Sequence, residues 1–173
     1  MPKNTNVLLI RHAEKPDDDA DRTLAVPGQE RAQAYVVYFQ SYPSPSQPLR
    51  LDYVFAAQDS AESQRPRLTV TPLAQALDLA INVEYADKDV ADAAKAFLAL
   101  DGANVLVCWH HEEILALAQA LGASKSSLPP TWPGHVYGWL VQLSFDANGK
   151  LTVSTSNQEL MYGDYGKDPP AVG

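Results

Sequence analysis

The chain is short of cysteine, of basic residues and of long apolar runs, and each shortage removes a class of protein. One cysteine, Cys108, excludes an internal disulfide, and no C-x-x-C pair offers a zinc site. The 13 Lys and Arg residues are outnumbered by 21 Asp and Glu, a net charge of −8. That sign does not suit binding to nucleic acid or to an anionic membrane, which both require clustered positive charge. No apolar stretch approaches the ~20 residues of a membrane-crossing helix. The first apolar run, residues 7–10, meets Arg11 too early to serve as a secretory leader. The expectation is a cytoplasmic protein in a reducing compartment, with Cys108 a buried core thiol.

What is present fits a globular α/β domain. The 173 residues are 46% hydrophobic, enough for one domain with a core and too few for two ordinary ones. A single domain over residues 1–173 is expected, with a loose tail from about 165. Three short apolar runs, 7–10, 53–57 and 105–109, read as strands buried on both faces of a parallel sheet. Helical patterns lie between them at 27–39, 66–80, 90–100 and 114–121. Pro72 is expected to break or kink the second, and Gly122 fits the end of the last. Residues 136–145 and 151–156 alternate in hydrophobicity around the turn signal Asp146-Ala-Asn-Gly149, which predicts an antiparallel hairpin at the sheet edge. The fold class expected is a three-layer α/β/α sandwich, its central sheet mostly parallel.

Ligands of open α/β sheets bind beyond the carboxyl ends of the parallel strands. Here those ends carry Arg11-His12, the segment 60–67 with Arg65 and Arg67, and His110-His111. Strands lying side by side would bring two imidazoles and at least two guanidiniums to one place. That set suits phosphoryl transfer. Guanidinium forks match phosphate oxygens, and fixed positive charge stabilises a loose transition state. A neutral imidazole can attack phosphorus and carry the phosphoryl group covalently.

The motifs also resemble a known family. LLIRHAEKP (8–16) resembles the R-H-G signature of the histidine phosphatase, or phosphoglycerate mutase-like, superfamily, with Ala13 in place of the glycine. LAVPGQERAQA (24–34) is similar to its helix-start segment, with Ala25 where a capping Ser or Thr is usual. SQRPRLTVTPLAQAL (63–77) resembles the segment carrying the second phosphate-binding arginine, and the offset to Thr69 and Pro72 gives that place to Arg65 rather than Arg67. VLVCWHHEEILALAQALG (105–122) resembles the strand and helix flanking the second catalytic histidine. WPGHVYGWLV (132–141) and QELMYGD (158–164) look like a bacterial subgroup that often reads C-W-E-H there.

The resemblance implies a metal-independent phosphatase without cofactor, acting on a small phosphomonoester or on phosphohistidine in a protein. His12 would be the phosphorylated nucleophile, and Arg11 and Arg65 would bind phosphate. The second histidine would be His110, by its distance to Ile114, or His111, by the Trp109 context, which is the closer match. The acid would be Glu112 or, after the second arginine segment, one of Glu84, Asp87 and Asp89. Glu14 and Lys15 would order the loop or touch substrate, and Arg67 reads as a surface residue. A phosphoglycerate mutase is disfavoured by the short chain. A binding module that has lost turnover is the alternative that Ala13 raises. A metal hydrolase built on His110, His111 and Glu112 lacks the H-E-x-x-H spacing, and the acidic run 17–21 lacks that of a calcium loop.

Overall fold

In the computed structural model, which describes residues 1–172, the apolar runs become neighbouring strands. In chain order the elements are β1 (Thr5–Arg11), α1 (Val26–Gln40), β2 (Tyr53–Ala56), α2 (Arg65–Leu77), β3 (Ile81–Asn82), α3 (Val90–Phe97), β4 (Asn104–Trp109), α4 (His111–Ala120), β5 (Trp139–Phe145) and β6 (Leu151–Asn157). The six strands form one sheet in the order β3-β2-β4-β1-β5-β6. β1, β2, β3 and β4 are parallel, and β5 and β6 join antiparallel at one end.

Successive strand residues point to opposite faces, so each buried strand feeds two cores. Val7, Leu9, Val105 and Val107 pack with Phe97, Ile114 and Leu117, which covers one face with α3 and α4. Leu8, Ile10, Leu106 and Cys108 pack with Tyr35, Phe39, Val70 and Leu73, which covers the other with α1 and α2. Each such side chain stabilises the fold by roughly 1.5–3 kcal/mol when fully buried. The result is the expected three-layer sandwich with an antiparallel edge pair. Among the described residues no helix is long and apolar enough to cross a membrane.

Two elements differ from the sequence expectation. α2 runs unbroken through Pro72. Proline in a helix interior costs about 3 kcal/mol. Burial of Thr69, Val70, Leu73 and Ala74 along the same helix outweighs that cost. β3, only two residues long, has no apolar run to announce it. Beyond Asp164 one contact reaches back to the sheet: the Lys167 carbonyl accepts the Trp139 indole N–H. A buried indole needs an acceptor, and this part of the chain supplies it.

Candidate active site

The parallel strands β1, β2 and β4 end along one edge of the sheet, and a cleft of about 850 Å³ opens there. Arg11, His12, Arg65, His110 and His111 all line it. The pairing of Arg11 with Trp109 at the end of the β1–β4 ladder is continued by His12, whose N–H donates to the Trp109 carbonyl at 3.0 Å. The next residue of each strand is a histidine, so the ladder itself sets His12 beside His110. Their ring centroids are 5.1 Å apart, edge to face.

His12 is only 3% exposed. Its Nδ1 lies 2.8 Å from the Ala13 carbonyl. A carbonyl only accepts, so Nδ1 carries the hydrogen and Nε2 keeps its lone pair. Burial, then the charge of Arg11, pushes the ring well below its ordinary pKa, which keeps it neutral. Arg11 is held by two carbonyls, its Nη1 donating to Gly134 at 2.7 Å and to Val136 at 2.9 Å. Its guanidinium carbon stands 3.8 Å from the Tyr137 ring centroid, a cation–π contact. Arg65 donates from Nη1 to the Asp21 carbonyl at 2.9 Å and from Nη2 to the Glu62 carbonyl at 3.3 Å. The Nε atoms of both arginines are buried without a protein partner.

Sequence reasoning left His110 and His111 open, with the Trp109 context favouring His111. The structure gives them different surroundings. His110, extended before α4, faces His12, and burial depresses its pKa against the pull of Asp87 and Glu112. His111 is the first residue of α4, and its Nδ1 lies 2.9 Å from Glu112 without the alignment of a hydrogen bond. Glu112 lines the cleft with its side chain 64% exposed. Asp87 also lines the cleft, and its carbonyl accepts the Trp109 indole N–H at 2.8 Å. Glu84 and Asp89 border a separate depression. Among the described residues no group of three His, Cys, Asp or Glu side chains is placed to hold a metal ion.

This arrangement sits on a known scaffold. No protein-family model and no curated protein sequence matches the chain. Solved structures do. The protein histidine phosphatase SixA complexed with tungstate aligns with 88% of this chain and 97% of its own at 17% identity and a TM-score of 0.59. Mycobacterial glucosyl-3-phosphoglycerate phosphatase aligns over the same shares at 14% identity and a TM-score of 0.56. Phosphoglycerate mutase from Bacillus anthracis aligns with 87% of this chain and 92% of its own at 15% identity and a TM-score of 0.54. The chain has the phosphoglycerate mutase-like fold.

Within this phosphoglycerate mutase-like fold the remaining candidates separate. Lys15 lines the cleft and pairs with Asp19 at 3.0 Å. Arg67 is taken by Asp59 at 2.7 Å, as a half-exposed pair. Glu14 is not among the residues lining the cleft; Arg31 holds its carboxylate in a fork, at 2.6 Å and 3.0 Å. Arg31 and its second partner, Asp164, were given no role from sequence. A signal existed for one of them. Gly28, Arg31, Ala32, Tyr35 and Phe39 share the buried stripe of α1, and a charge on such a stripe demands partners.

Proposed function

We propose that this chain is a phosphatase that works without metal or cofactor, through a phosphohistidine formed on His12. The observation that carries the reading is a neutral buried imidazole, edge to face with His110, in a cleft that the Arg11 and Arg65 guanidiniums also line. Guanidinium forks match phosphate oxygens, and an uncharged imidazole can attack phosphorus. The phosphatases among the structural neighbours add support through their shared scaffold.

In the proposed reaction, His12 Nε2 attacks phosphorus and the bond to the leaving group breaks. Arg11 and Arg65 hold the equatorial oxygens, and His110, rather than His111, donates to one of them. A carboxyl of the cleft wall, Asp87 or Glu112, gives the leaving oxygen its proton. Water then attacks the phosphohistidine, the N–P bond breaks, and the proton released by water returns to that carboxylate. Phosphate departs and the imidazole is restored. The substrate classes that fit are a small phosphomonoester or a phosphohistidine on a protein.

The test is turnover of 4-nitrophenyl phosphate and of a phosphohistidine peptide by wild type and His12→Ala, with and without EDTA. The expected result is activity in wild type that survives EDTA, with a phosphoryl group trapped on His12. A wild type no faster than His12→Ala on both substrates overturns the reading. Phosphate binding without turnover would instead mark a phospho-ligand binding module.

A further inference from the structure

The one ionic cluster sealed inside the described residues lies outside the cleft. Arg31, on α1, has its side chain 1% exposed and faces two carboxylates. Its Nε and Nη2 donate to Glu14, and its Nη1 and Nη2 donate to Asp164 at 3.0 Å and 2.7 Å. A buried ion cluster is seldom a source of net stability, because desolvation offsets the attraction. Its geometry is nonetheless fixed, since the planar fork of arginine permits little else.

Both carboxylates belong to segments that hold the cleft. Glu14 stands two residues after His12, and its carbonyl accepts the Ala25 N–H at 2.9 Å, next to the start of α1. A Cβ at Gly28 would lie 2.5 Å from that same carbonyl oxygen, so loop and helix are interlocked. Asp164 ends a single 3-10 turn near the C-terminal end of the described chain and accepts the backbone N–H groups of Leu160 and Met161 at 3.1 Å and 3.0 Å. Its carboxylate also presses on Gly138, where a Cβ would come within 2.6 Å. Gly138 follows Val136 and Tyr137, the residues that hold the Arg11 guanidinium. One cluster therefore touches both the loop that follows the nucleophile and the loop whose carbonyls and Tyr137 ring hold the neighbouring arginine.

We propose that Arg31 and Asp164 are positioning residues for phosphoryl transfer: acting through Glu14 and Gly138, they set His12 and Arg11 relative to each other, which makes the turn at Tyr162–Asp164 a working part of the site. The inference rests on the phosphatase reading. Catalytic geometry is sensitive, and a displacement of about 1 Å can cost on the order of 100-fold in rate. A brace formed at the far end of the sequence is suited to holding that geometry, because it ties the loop after β1 to the turn after β6, two strands that are not neighbours in the sheet.

The test is rapid-mix formation of the phosphoenzyme from 4-nitrophenyl phosphate, comparing wild type with Asp164→Asn, Arg31→Lys and Arg31→Met. Asp164→Asn keeps an acceptor for the Leu160 and Met161 N–H groups and so preserves the turn. The expected result for it is a burst of full amplitude whose rate falls about 10–100-fold, with KM little changed. Arg31→Lys should recover part of the rate lost in Arg31→Met. A burst of reduced amplitude at the wild-type rate would show a fold-stabilising role only and overturn the proposal. So would wild-type rates in both Asp164→Asn and Arg31→Lys. A wild type that forms no phosphoenzyme overturns the phosphatase reading, and this inference with it.

Discussion

The backbone N–H of Ala13 donates to the Thr69 hydroxyl at 2.8 Å, and that hydroxyl donates onward to the Arg65 carbonyl at 2.8 Å. A single buried side chain thus couples the residue after the nucleophile to the residue that supplies the second guanidinium. Thr69→Val keeps the shape and removes both bonds, leaving a buried N–H unpaired. The expected cost is about 1–3 kcal/mol of stability, with reduced turnover. Thr69→Ser should retain both. Urea unfolding and the 4-nitrophenyl phosphate assay on the two variants check this.

Acid should weaken the protein earlier than its carboxylates alone predict. His12, His110 and His111 are all held below the ordinary imidazole value, in each case first by burial. As pH falls below about 6.5 the unfolded chain binds protons that the folded chain refuses. Stability is therefore full above that pH and declines below it, by up to ~1.4 kcal/mol per unit for each of the more deeply buried His12 and His110 and by less for His111, until the folded value is passed. Urea midpoints between pH 8 and 5.5 should show the decline, and His12→Asn should make it shallower. A wild-type midpoint that stays flat across this range would count against it.

The two arginines on α2 should behave oppositely. Arg65 lines the cleft with an unpartnered Nε, whereas Arg67 is engaged by Asp59. Arg65→Lys loses the planar fork, and turnover is expected to drop on the order of 100-fold, with weaker inhibition by inorganic phosphate. Arg67→Lys should leave both quantities within about twofold of wild type, as surface pairs contribute little.

Gly28 is required for space rather than for backbone freedom. Gly28→Ala pushes a methyl group to within 2.5 Å of the Glu14 carbonyl, so loop or helix must shift. A loss of about 1–3 kcal/mol is expected, together with a lower kcat. Gly163→Ala meets nothing within 4 Å and serves as the control for stability alone. Thermal melts on the pair, with steady-state kinetics on Gly28→Ala, decide the matter.

Much of the scaffold was legible because buried parallel strands read as unbroken apolar runs, and because three of them ended in chemistry. β3 was too short to leave a pattern, and the helix through Pro72 survived through tertiary packing that no local rule contains. What separates His110 from His111 is the boundary between strand and helix, which no residue pattern marks. The backbone of His110 is still extended while His111 already belongs to α4, and one residue of slip redirects a side chain. Arg31 and Asp164 lie 133 positions apart in the chain, beyond the reach of any motif.

Cys108 has a consequence of its own. Its sulfur is fully enclosed between the sheet and α2, and burial drives the thiol pKa upward, so alkylating reagents meet neither an accessible nor an ionised group. With one such atom per molecule, each labelling event counts one opening of that interior layer. The chain thereby carries a native clock for its own breathing, readable by mass spectrometry with no dye attached and no residue changed.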